Sequence, residues 1–222
     1  MTEFAVTTTN RVRRAPQRAS YDRATIYQII DEALICHVGF VQEGQPFVIP
    51  TNHARLDDEL LLHGANASRK LAYLRAGGLV SVAFTLLDGL VLARAACSHS
   101  VNYRSVVLFG RGRLVEGEQD KLRALEALSE HLLPGRWNDV RKPSREELAA
   151  TTVVSIPIES ASAKIRSGPP IDGGDDRDLP VWAGILPLRQ QALEPSPDPG
   201  STAQAPLPEY LQGWPAMRRG HR

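Results

Sequence analysis

Cysteine is nearly absent from this chain: its 222 residues hold only Cys36 and Cys97. Neither shares a ligand spacing with histidine, which excludes a disulfide scaffold and a Cys/His zinc site. Both stand in apolar runs, so the sequence predicts buried, reduced thiols and a cytoplasmic compartment. Aromatic residues are scarce at 6%, so the core must be built from Val, Leu, Ile and Ala. An excess of one charge is also lacking. The 26 basic and 25 acidic residues leave +1, which argues against nucleic acid or an acidic membrane as partner. No apolar run approaches the ~18 residues of a membrane span. Residues 1–19 carry Arg11, Arg13, Arg14 and Arg18 but lack the apolar stretch of a secretory signal. No internal repeat is visible.

What is present divides the chain in three. Residues 1–19 are polar and read as a disordered arm. Residues 20–192 carry the hydrophobic pattern of one domain. Beyond 193, proline, serine and glycine dominate, and the pattern predicts a disordered tail over 193–222. Within the domain, Ser20 and Asp22 are N-cap candidates for a helix carrying Ile26, Ile29 and Ile30. Strands are expected at 34–41, 47–51, 55–56 and 60–63, then 79–86. Asp88-Gly89 reads as a hairpin turn, with 90–95 as its return. A long strand follows at 103–115, where Gly110 and Gly112 suggest a bulge or close backbone approach. Leu122, Leu125, Leu128 and Leu132 mark an amphipathic helix, and Ser144 with Glu147 makes a capping box. Residues 153–158 read as the last clear strand, and 181–186 as a short docking segment. Many short strands with a few helices predict a mainly β fold, a barrel or sandwich with peripheral helices.

The most informative stretch is HGANASRK, residues 63–70. An apolar strand precedes it and a helix follows. A helix start presents unpaired N–H groups and partial positive charge. Adding Ser68, Arg69 and Lys70 makes a place suited to a phosphate monoester. The plain alternative is a capped helix with two surface cations. The histidines at 37, 53, 63, 99, 131 and 221 show no HxxxH spacing, so no metal site is expected.

Five segments in order are similar to one family: YDRATIYQIIDEALICHVGFV, PFVIPTNHAR, LLHGANASRK, TLLDGLVLARAACSHSVNYRSVVLFGRG and VWAGILPL. They resemble the pyridoxamine 5'-phosphate oxidase-like flavoproteins, and most closely the flavin-nucleotide-binding branch related to nitroimidazole-resistance proteins. The resemblance implies a split β-barrel, a homodimer, and FMN bound between subunits. It implies that Ser68, Arg69 and Lys70 hold the phosphate, and that Val48, Ile49, Pro50 and Thr51 run along the ring. His63 would line the flavin and is the candidate catalytic residue. Tyr103, Arg104 and Ser105 would approach from the second subunit; Trp182 either covers the ring or fills a core gap. Pro50 cannot donate to a ladder, which predicts a sheet edge or a strand end.

Departures from the family pattern matter. The strand along the flavin reads VIPTN rather than an Arg-rich run ending in lysine. The C-terminal motif reads WAGILP without arginine. Vitamin B6 oxidase activity is therefore not expected. The expected function is an FMN-dependent oxidoreductase that takes electrons from a nicotinamide donor and reduces a small nitro or quinone-like substrate. The alternative is a flavin- or haem-binding module without turnover. Related split barrels hold haem or deazaflavin, and an axial haem ligand would be His99 or His63.

Overall fold

The computed structural model describes residues 2–201 and 205–211. Two antiparallel sheets enclose one core. The larger sheet runs in the order β1 (Ala19–Ser20), β10 (Ser160–Arg166), β7 (Ser100–Arg111), β6 (Leu79–Leu92), β2 (Ile35–Gln42), β3 (Gln45–Asn52), with β11 (Gly184–Pro187) beside the far half of β6. The smaller sheet orders β4 (Ala54–Leu56), β5 (Glu59–Ala65), β9 (Thr151–Pro157) and β8 (Arg113–Leu114). Helices α1 (Arg23–Glu32), α2 (Arg69–Arg75), α3 (Glu118–Leu132), α4 (Arg136–Asp139) and α5 (Arg145–Ala150) lie around them. The expected split barrel with peripheral helices is the fold.

Alternation along the strands builds the core. Val80, Val82 and Phe84 on β6 meet Val38 on β2, Val106 and Leu108 on β7, and Leu60, Leu62, Val154 and Ile156 on the smaller sheet. The glycines of β7 and the turn after it serve close approach. A Cβ on Gly110 would lie 2.6 Å from Ile156, and one on Gly112 would lie 2.3 Å from the Leu74 carbonyl oxygen. Substitution there would push α2 off the barrel. The capping box at Ser144 and Glu147 forms as expected.

Four expectations are corrected. Asp88-Gly89 is no hairpin: β6 runs straight through it, and the ladder to β7 shifts register between Leu87 and Gly89. The aspartate serves instead as an acceptor for Arg104. The last strand is not β9, since β10 pairs with β7 over its whole length. Its SASAKIR sequence has few β-branched residues, so propensity concealed it. Cys97 is exposed, while Cys36 is buried as expected. Residues 2–19 are not a free arm. Phe4 is 3% exposed, and Asn10, 2% exposed, donates from Nδ2 to Ala5 and Ala161 carbonyls. Part of the expected tail, 202–204 and 212–222, lies outside the described residues. Tyr210 packs by Gly135 and donates to Asp139 at 2.6 Å.

Candidate functional site

Strand β5 delivers His63 to the mouth of α2. Ser68 caps that helix, its Oγ accepting from Leu71 N–H at 3.5 Å. Seven residues make α2 too short for much of a macrodipole, so positive charge here comes from Arg69 and Lys70. The two differ sharply. Arg69 is exposed, and its guanidinium lies over the Phe47 ring, 4.7 Å from the centroid. Phe47 in turn stacks on Phe40 at 5.4 Å, and Phe40 on Tyr73 at 4.9 Å. Reasoning from sequence missed Phe47, because a phenylalanine in a strand reads as core.

Lys70 is only 5% exposed, which departs from the plain alternative of two surface cations. It forms no ion pair among the described residues. Burial lowers its pKa, opposed by the neighbouring Cys36. Burial pushes the Cys36 thiol up to about 12. His63 has its pKa lowered by burial and then by Lys70, so its ring is held neutral. Its Nδ1 is buried without a hydrogen-bond partner. An unpaired buried ammonium beside an unsatisfied imidazole nitrogen is costly in an isolated protein. Both groups fit an anionic ligand with polar edges, such as a flavin phosphate and its attached chain.

Strand β3 is a sheet edge, the first of the two places expected of Pro50, so one row of its backbone groups is free to meet a ring's polar rim. Val48 and Pro50 face outward, while Ile49 packs against the core. The outer face is uncharged along two rows that cross five strands. One reads Val48, Gly39, Ser81, Phe109, Ser160; the other reads Pro50, His37, Ala83, Val107, Ser162.

The remaining site candidates lie elsewhere. Tyr103, Arg104 and Ser105 stand on β7, three strands and about 14 Å from β3. The structure does not bring them to His63 within one chain. Arg104 is bound on both edges of its guanidinium, by Glu32 and by Asp88. These hydrogen bonds raise its pKa, Glu32 first and then Asp88. Ser105 donates to the Lys164 carbonyl at 3.1 Å. Trp182 is 67% exposed in the segment leading to β11. His99 accepts the Ala93 N–H on Nδ1 at 2.9 Å, so the proton of its neutral ring sits on Nε2. No group of three or more potential metal ligands exists among the described residues. None of their helices is long and apolar enough to cross a membrane.

Residues 22–165 match the family model of pyridoxamine 5'-phosphate oxidase. No curated protein matches the chain. Among solved structures, the flavocytochrome Anf3 from Azotobacter vinelandii is 38% identical, with 93% of this chain and 96% of that one covered and a TM-score of 0.87. A FAD and haem binding protein from Mycobacterium smegmatis is 34% identical over 88% of this chain and 96% of its own, with a TM-score of 0.84. A protein assigned to 5-nitroimidazole antibiotic resistance in Bacteroides thetaiotaomicron is 27% identical over 66% of this chain and 86% of its own, with a TM-score of 0.56. This chain belongs to the pyridoxamine 5'-phosphate oxidase family.

Proposed function

We propose that the chain is a flavin-dependent oxidoreductase that acts as a homodimer and carries haem beside the flavin. The observation that carries the flavin reading is Lys70, a buried cation with no acidic partner among the described residues, next in the chain to exposed Arg69 and electrostatically coupled to His63, whose Nδ1 is unsatisfied. Arg69 and Lys70 would hold the nucleotide phosphate. The free edge of β3 would meet the ring, with Val48 and Pro50 against its face. FMN follows from the resemblance and FAD from the name of the Mycobacterium smegmatis relative. Both carry the phosphate that the two cations suit. Bound flavin supplies hydride and single-electron transfer, here from a nicotinamide donor toward a small nitro or quinone-like acceptor. His63, held neutral, is a hydrogen-bonding group at the ring edge rather than a strong acid.

Haem is supported by the names of two relatives above 30% identity. His99 suits a haem propionate better than iron, because its Nε2 carries the proton. The uncharged rows on the outer face support the dimer, and a second copy there would bring Tyr103 and Ser105 of one subunit toward β3 of the other. Two free thiols, one of them exposed, suit a reducing cytoplasm.

The test is the visible spectrum of the purified protein together with its sedimentation. Flavin bands and a Soret band on a dimer support the proposal. A colourless protein that takes up neither cofactor on reconstitution, or a monomer that holds flavin stoichiometrically, contradicts it.

A further inference from the structure

Residues 168–188 cross the far half of the larger sheet as a strap fastened at three places. At its start, Asn102 Nδ2 donates to the Gly168 carbonyl and Arg166 Nη2 to that of Pro169, each at 3.2 Å. Next, the Asp172 carboxylate accepts from Arg94 N–H at 2.9 Å and from Arg94 Nη1 at 2.8 Å. At its end, β11 pairs with β6, and Leu188 N–H donates to the Asp88 carbonyl at 3.0 Å. Main-chain and polar contacts fix this segment, yet its apolar side chains face outward. Ile171 is 73% exposed, Val181 50%, Trp182 67% and Leu186 50%.

The register places these side chains on a floor. Leu186 lies opposite Leu90, and Leu90 opposite Val101, giving one apolar row across β11, β6 and β7. Trp182 lies against Gly184, where a Cβ would come within 2.9 Å of the indole. Gly184 is opposite Leu92, on the same face as Leu186 and Leu90. The result is a flat apolar surface about 10 Å wide with an aromatic wall, close to His99 at the start of β7. A surface of this kind marks a ligand or partner site.

The relatives say which. The family match ends at residue 165. A match covering 88% or 93% of the chain must run well past that point, because only 21 residues precede the family match. Two relatives with this reach are the flavocytochrome and the FAD and haem binding protein. The nitroimidazole-resistance relative covers 66%. Length of chain beyond the barrel thus goes with haem in the names.

We infer that the strap forms one wall of a site for a flat apolar macrocycle, haem, with Trp182 and Leu186 as its main contacts. This rests on the haem reading above. The strap contains no His, Met, Cys or Tyr, so it contributes wall and not an axial ligand. A second copy of the chain is the competing occupant of this surface.

Titration of the full-length protein with haemin, followed at the Soret band, tests it in wild type, Trp182→Ala and Leu186→Glu. Both side chains are largely exposed, so the fold survives their loss. Each variant is expected to bind haemin at least ~10-fold more weakly, as loss of a large apolar contact implies. Flavin affinity and dimer mass should stay unchanged, as should the EPR signature of the haem that still binds. Wild type that takes up no haemin overturns the haem reading itself. Wild type and variants that bind haemin equally overturn the strap's role and leave that reading standing. Dissociation of the dimer with haemin affinity kept assigns the surface to a second copy.

Discussion

Arg69 and Phe47 come from different elements, yet the guanidinium of one lies over the ring of the other at 4.7 Å. Phe47 is itself backed by Phe40 and Tyr73. An arginine on a flexible stem loses entropy when it engages a phosphate, and a stacked one has lost part of it beforehand. Phe47→Leu keeps the apolar volume and removes the platform. It should weaken FMN and FAD binding about two- to fivefold, from the ~0.5–1 kcal/mol of an exposed cation–π contact, and leave riboflavin binding unchanged. Equilibrium titration of the three ligands checks this.

Lys70 makes the opposite trade. Its burial without an acid weakens the apo-protein and favours an anionic ligand. Below its lowered folded-state pKa, folded and unfolded chains both hold the proton, and the full cost of burying the cation applies. Between that value and the ordinary 10.5, the unfolded chain binds more protons than the folded one. Stability of the apo-protein therefore rises with pH across that window. Lys70→Met should remove this rise and stabilise the apo-protein near neutral pH by about 1 kcal/mol, or roughly 2–4 °C in Tm. It should also lower flavin affinity. Thermal melts across pH, with and without flavin, provide the readout.

The N-terminal segment is predicted to matter to the fold. Phe4 is buried, lies edge-on to Tyr27 at 6.1 Å, and has the Arg23 guanidinium 4.2 Å from its centroid. Phe4→Ala should cost about 3 kcal/mol, lowering Tm by roughly 6–12 °C. An unchanged melting curve would return these residues to the status of a free arm.

Much of this was legible in the sequence. Apolar runs and turn residues marked β2, β3 and β5, alternation marked most of β6, and caps marked the starts of α1, α2 and α5. Pro50 marked the sheet edge, and residues 63–70 marked the candidate site. What escaped depended on partners distant in sequence. The arm reads as polar because its anchoring side chains, Phe4 and Asn10, stand in a stretch rich in threonine and arginine. Asp88-Gly89 has turn chemistry, but pairing with β11 on one side and β7 on the other holds it extended. Lys70 reads as a surface cation by type, and only the packing of α2 against the barrel buries it. Arg104 looks available for a ligand until Glu32, from α1, is seen on its guanidinium.

Whether Arg69 and Lys70 hold a flavin phosphate is decided by one titration. FMN and riboflavin differ by that phosphate alone. Each charge-assisted contact contributes roughly 1.5–3 kcal/mol, so Arg69→Ala should weaken FMN binding by about one to two powers of ten. Riboflavin should bind the wild type weakly and be almost indifferent to the substitution. Fluorescence quenching of both ligands against wild type, Arg69→Ala and Lys70→Ala measures the difference. A preference for FMN that collapses in the variants is the predicted result. FMN affinity equal to wild type in both variants would contradict the account and place the phosphate elsewhere.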